Sequence, residues 1–175
     1  MCSDLKGAGI VGVIVQAITG LDGNSYTRQQ LDACQRNGLR VQGYVWCFPG
    51  AAGNPVSMRS RLAMFDGFSI EDLWLDVEQA GLDRADVDAD LALCDAYLGR
   101  AAGIYSAHWF FASQGWLGVN WWASRRLWEA LYDNNRNVTA GFVPYGGWTG
   151  PTIKQFWGTS TIGHVHQIDQ DIEQG

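Results

Sequence analysis

Short apolar runs alternate with amphipathic stretches over the first three quarters of the chain. Gly9 to Ile18 is dominated by Val and Ile and predicts a strand, and Ser25 to Asn37 follows with apolar residues at helical spacing. Gly38 stands where a helix C-terminus favours a left-handed residue, so the helix is expected to stop there. Arg40 to Phe48, rich in Val and aromatics, predicts the next strand. After a loop from Pro49 to Pro55, a helix through Met58, Leu62 and Phe65 leads to a strand at Leu73 to Glu78.

The clearest helix comes next. Asp83 is a good N-cap, Asp86, Asp88 and Asp90 suit the positive end of the helix dipole, and Val87, Leu91, Cys94 and Leu98 form an apolar stripe. Gly103 to Ser106 predicts a strand, a short aromatic helix or loop follows, and Arg126 to Tyr132 predicts another strand. Beyond Asp133 strands dominate, at Ile153 to Trp157 and His164 to Ile168, joined by loops too short for crossover helices. Early alternation of this kind implies an α/β fold with a parallel sheet and right-handed crossovers, either doubly wound or closed into a barrel. Without a low-complexity linker or internal repeat, residues 1–175 read as one domain.

Composition narrows the partners. With 47% hydrophobic and 17% charged residues, the chain has ample material for a core and too little charge for disorder. A net charge of −6 repels a phosphate backbone, which argues against nucleic acid. No apolar run approaches the ~20 residues that span a bilayer, so no membrane partner is expected either. Met1-Cys2-Ser3-Asp4 lacks a basic leader and apolar run, which leaves localisation open. Cys2, Cys34, Cys47 and Cys94 contain no CxxC pair and are expected to be free thiols used as small core residues.

The chemistry concentrates in Leu73-Trp74-Leu75-Asp76-Val77-Glu78. In a strand, Trp74, Asp76 and Glu78 share one side. Two carboxylates at i and i+2 at the end of a buried strand are costly to desolvate and repel each other, which a structural role rarely requires. Glycosidic cleavage does require such a pair, because one carboxyl must stay protonated to donate to the leaving oxygen while a second stabilises positive charge. Nine Trp, six Tyr and seven Phe exceed the needs of a core this size, and Tyr44, Trp46, Tyr105, Trp109, Trp128, Tyr132 and Trp157 fall at predicted strand ends or loops, where rings can stack on sugar faces.

In these motifs the chain resembles glycoside hydrolase family 25, the Chalaropsis-type lysozymes. Leu75-Asp76-Val77-Glu78 matches the family's DxE strand, Gly103-Ile104-Tyr105-Ser106 its GIYS/T strand, and Leu127-Trp128-Glu129-Ala130-Leu131-Tyr132 its LWxAxY strand. Ile153-Lys154-Gln155-Phe156 is similar to the WQY strand, Val165-His166-Gln167-Ile168-Asp169 to the last strand, Gly43-Tyr44-Val45-Trp46 to GaYHF, and Val13 to Gly20 to FviiKateG. The resemblance implies an irregular TIM-like (β/α) barrel in which five β/α units precede three strands. It also implies cleavage of the β-1,4 bond between N-acetylmuramic acid and N-acetylglucosamine in peptidoglycan, by a phage endolysin or a secreted lysozyme acting outside the cell or released at lysis. Glu78 would be the general acid, Asp76 would stabilise the cationic transition state or orient the N-acetyl group, and Asp169 would be an auxiliary acid. Tyr44, Tyr105, Trp128, Tyr132 and Gln155 would line the sugar cleft. The family's opening GxDxS strand has no counterpart here, so seven strands are expected where the family has eight. Exposed strand edges would then invite pairing with a second copy.

Other signals weigh less. Gly7 to Gly12 fits GxGxxG but precedes a strand, not a helix. His164 and His166, with His108 or Asp169, make a weak metal pattern, the acids from Asp83 to Asp95 lack EF-hand spacing, and Ser106 has no GxSxG elbow. No cofactor is required. The competing classes are a glycan-binding or structural module on the same scaffold and a glycosidase acting on another glycan.

Overall fold

A computed structural model describes residues 2–17, 21–50, 55–163 and 165–174. Ile18, residues 51–54 of the loop after Pro49, and His164 lie outside the described residues. The chain divides into two compact units, 1–102 and 103–175.

The first unit alternates helix and strand as its periodicity requires: α1 (Cys2–Gly7), β1 (Gly12–Gln16), α2 (Leu21–Arg36), β2 (Arg40–Trp46), α3 (Pro55–Leu62), β3 (Asp72–Asp76) and α4 (Arg84–Leu98). β1 pairs with β2 and β2 with β3, both parallel, with Tyr44 opposite Trp74 and Trp46 opposite Asp76. Every residue of β3 is buried, so a strand covered on both faces reads as a nearly continuous apolar run. At Gly43 a Cβ would lie 2.6 Å from the Phe65 ring, and only glycine lets that ring pack against the strand.

Local signals set the helix ends. Asp83 caps α4 in a reciprocal box with Asp86, its Oδ1 accepting the Asp86 backbone N–H at 2.9 Å, and Gly99 closes the helix at φ 73°. Gly38 turns left-handed at φ 67° after α2, and Leu39 N–H returns to the Cys34 carbonyl at 3.1 Å. α2 nonetheless begins at Leu21, before the expected Ser25, and β1 is shorter than expected because Gly9 is in a left-handed turn at φ 84°. β3 ends at Asp76, which leaves Glu78 in the connection beyond the strand instead of on its inward face. The four cysteines are free and buried, and the Cys2 and Cys34 sulfurs lie 2.8 Å apart, linking α1 to α2.

The second unit holds β4 (Gly103–Ser106), α5 (His108–Ser113), β5 (Leu127–Ala130), β6 (Ile153–Ile162) and β7 (Val165–Glu173). β4, β5 and β6 run parallel, and β6 turns back into β7 as an antiparallel hairpin longer than either predicted run. Register shifts between Trp157 and Thr161 interrupt the alternation that would have shown the full length in the sequence. Thr159 sits there at φ 54°, a left-handed conformation costly for a β-branched residue. Glu129 on β5 and its register partner Lys154 on β6 share one face of the sheet: Glu129 accepts from the Tyr145 hydroxyl and, at 3.3 Å, from the His108 N–H that opens α5, while Lys154 is fully buried and donates to Asp133 Oδ2 at 2.7 Å and to the Ala140 carbonyl at 2.8 Å. Much of the aromatic surplus is structural, with Phe111 in edge contact with Trp116, Trp122, Tyr145 and Trp148.

Among the described residues no helix is long and apolar enough to cross a membrane, and no cluster of three or more His, Cys, Asp or Glu is placed to hold a metal ion.

Candidate active site

In the first unit the acid pair stands at the C-terminal end of β3, the end at which parallel α/β sheets present chemistry. Asp76 is 4% exposed and Glu78 is half-buried. Cys47 N–H donates to the Asp76 carbonyl at 2.9 Å, carrying the ladder past the end of β2 and fixing the backbone from which the carboxyl projects. One residue pair earlier, Trp74 Nε1 donates to Gln42 Oε1 at 2.6 Å, so the indole of the same strand is satisfied without the acids. Asp76 Oδ1 and Glu78 Oε1 are buried without a hydrogen-bond partner, and among the described residues no cation pairs with either carboxyl. Burial raises Asp76 to about 8, with the Glu78 charge adding to the rise, and burial raises Glu78 to about 7. Near neutrality the two carboxyls therefore hold a proton that ordinary acids would have lost, and the titration steps belong to the pair. Tyr44 is half-buried on β2, and Trp46 and Phe48 stack at 6.2 Å with both rings partly exposed.

The second unit gathers four of the sequence-named residues, Tyr105, Tyr132, Gln155 and Asp169, into one polar network. Gln155 Oε1 accepts from the Tyr105 hydroxyl at 2.7 Å and the Tyr132 hydroxyl at 2.6 Å, and Gln155 Nε2 donates to Asp169 Oδ2 at 3.0 Å. Asp169 Oδ1 accepts the Thr159 N–H at 2.8 Å, a contact that supports the left-handed residue of the hairpin. Tyr105 and Trp128 pack ring to ring at 4.4 Å and are buried, whereas Tyr132 is 56% exposed and passes close over Gly158, where a Cβ would lie 3.3 Å from its ring. Trp128 Nε1 donates to Asp171 Oδ1 at 2.7 Å. Asp171 was not singled out in the sequence; its position two residues beyond Asp169 on one strand was the available signal.

The chain has relatives in sequence and in fold. The chain is 31% identical over 133 residues to lysozyme-like protein 5 of Caenorhabditis elegans, covering 70% of this chain and 60% of that protein. It is 28% identical over 160 residues to probable GH family 25 lysozyme 3 of Dictyostelium discoideum, covering 85% of this chain and 33% of that protein. The chain thus spans less than two thirds of the length of these curated relatives. No protein-family model matches it. Among solved structures, the family GH25 lysozyme of Aspergillus fumigatus superposes with a TM-score of 0.73 at 18% identity, over 99% of this chain and 87% of that one. The chain thus shares the fold of a family GH25 lysozyme over nearly its whole length and is similar in sequence to lysozyme-like proteins.

Proposed function

We propose that the chain is a lysozyme that hydrolyses the β-1,4 bond between N-acetylmuramic acid and N-acetylglucosamine in bacterial peptidoglycan. One observation carries most weight: Asp76 and Glu78 are two desolvated carboxyls with no cation partner among the described residues, raised toward neutrality at and just beyond the end of a buried strand. Glu78, the less buried of the two, is the one a substrate can reach and is assigned as general acid. It donates its proton to the glycosidic oxygen, which leaves with the electrons of the C1–O bond, and water then supplies the oxygen that bonds to C1 while its released proton restores the Glu78 carboxyl. Asp76 stabilises the positive charge developing at C1 or orients the acetamido group that does so.

In the second unit Tyr132 offers an exposed ring to a sugar face, and Tyr105, Trp128 and Gln155 support it from beneath. Asp169, with both oxygens engaged by Gln155 and Thr159, acts by holding the amide in place. Tyr44 on β2 is assigned to sugar binding beside the acid pair.

Clearing of a bacterial cell-wall suspension tests the assignment. The native chain is expected to clear it, Glu78→Gln to lose at least 100-fold in rate while keeping its circular dichroism spectrum, and Asp76→Asn to be severely impaired. Binding of the walls without clearing would leave a glycan-binding module and remove the catalytic roles.

A further inference from the structure

The two carboxylates of β7 are engaged in opposite ways. Asp169 has both oxygens bonded within the protein, to Gln155 Nε2 at 3.0 Å and Thr159 N–H at 2.8 Å. Asp171 has one: Oδ1 accepts the Trp128 indole N–H at 2.7 Å, and Oδ2 has no partner among the described residues although the residue is exposed. A carboxylate tied through one oxygen to a rigid buried ring has lost most of its rotational freedom, while its second oxygen keeps its acceptor sites. Trp128 is 4% exposed and packed on Tyr105, so the anchor does not move. Gln155 is the register partner of Asp171, which brings the carboxylate beside the amide that holds the Tyr132 phenol.

We propose that Asp171 is a glycan-binding carboxylate, accepting through Oδ2 a hydroxyl or acetamido N–H of an N-acetylhexosamine whose apolar face rests on Tyr132, with Trp128 as its positioning residue. The proposal rests on the glycan assignment above but not on catalysis.

The test is calorimetric binding of the β-1,4 trimer of N-acetylglucosamine at pH 8, in the Glu78→Gln background so that no turnover occurs. Adding Asp171→Asn is expected to weaken binding about tenfold, and adding Trp128→Phe severalfold, with unfolding midpoints within a few degrees of the background. In the background protein the Trp128 indole N–H resonance is expected to shift on addition of the trimer. Wild-type affinity in Asp171→Asn, no trimer binding by the background protein, or an indole resonance indifferent to saturating trimer would each overturn the proposal. Failure of catalysis is distinguishable: binding that depends on Asp171 in a chain that clears no cell walls removes the lysozyme assignment alone, and clearing by a chain whose trimer binding ignores Asp171 removes this proposal alone.

Discussion

Gln155 and Asp169 meet across the β6–β7 hairpin, the amide Nε2 donating to the carboxylate Oδ2 at 3.0 Å while the same amide's oxygen receives two phenols. One side chain thus fixes the polarity of a network that includes Tyr105, Tyr132 and Asp169. Gln155→Leu keeps the volume and removes every one of these bonds, leaving the two phenols their longer mutual contact of 3.3 Å. The expected loss is about 2 kcal/mol in urea unfolding at pH 7, with faster amide exchange around Thr159. A change below about 0.5 kcal/mol would show that the network is not held by the amide.

Asp76 predicts an unusual pH dependence of stability. Below about pH 4 the carboxyl is protonated in both the folded and unfolded chain, and its burial carries no charge. As pH rises, the unfolded chain releases a proton that the folded chain keeps until about 8, so stability present at low pH is lost across that window. Asp76→Asn removes the effect: the variant should match the wild type near pH 4 and exceed it by a few kcal/mol at pH 8.5, each tenfold change in proton affinity being about 1.4 kcal/mol. Parallel stability curves across this range would contradict the burial assigned to Asp76.

Lys154 is fully buried, and its ammonium is bonded to Asp133 Oδ2 and the carbonyls of Asn137 and Ala140. Partial burial raises the Asp133 carboxyl, but the Lys154 hydrogen bond and charge, with the Asn135 N–H, more than offset this and hold it below its ordinary value. Lys154→Met preserves the apolar stem and abandons these acceptors, with an expected cost of about 3 kcal/mol. Thermal unfolding reads it directly, and an unchanged midpoint would mean that the 133–140 segment needs no internal cation.

Cys34 is buried beside Cys2, and burial, with the neighbouring thiol, pushes it up to about 12. The thiolate is the nucleophile, so the native protein should resist iodoacetamide at Cys34 at pH 8 over hours and label fully in guanidinium. Mass spectrometry distinguishes the outcomes; rapid native labelling would place the α1–α2 contact in frequent opening.

The legibility of the chain followed the range of the forces involved. The N-terminus of α4 was readable because Asp83 and Asp86 act within a turn of the residues they satisfy. The strands β1 to β5 were readable because parallel strands are apolar runs. The hairpin was underestimated because its outer half is polar and its alternation is broken at Thr159, where Asp169 compensates from ten residues away. Glu78 was expected on β3, but pairing stops at Asp76 and the connection beyond it decides where that carboxyl lies.

The amino-acid sequence alone determined the α/β alternation, the adjacency of Asp76 and Glu78, and an acidic, aromatic-rich chain suited to glycans, since each is a matter of periodicity, composition or nearest neighbours. Only the tertiary structure decided that the acid pair is desolvated and, among the described residues, without a cation, that Trp128 is buried, and that its indole bonds Asp171. Those properties depend on which strands lie side by side and in what register, and register is settled by packing over the whole sheet, not by any one segment.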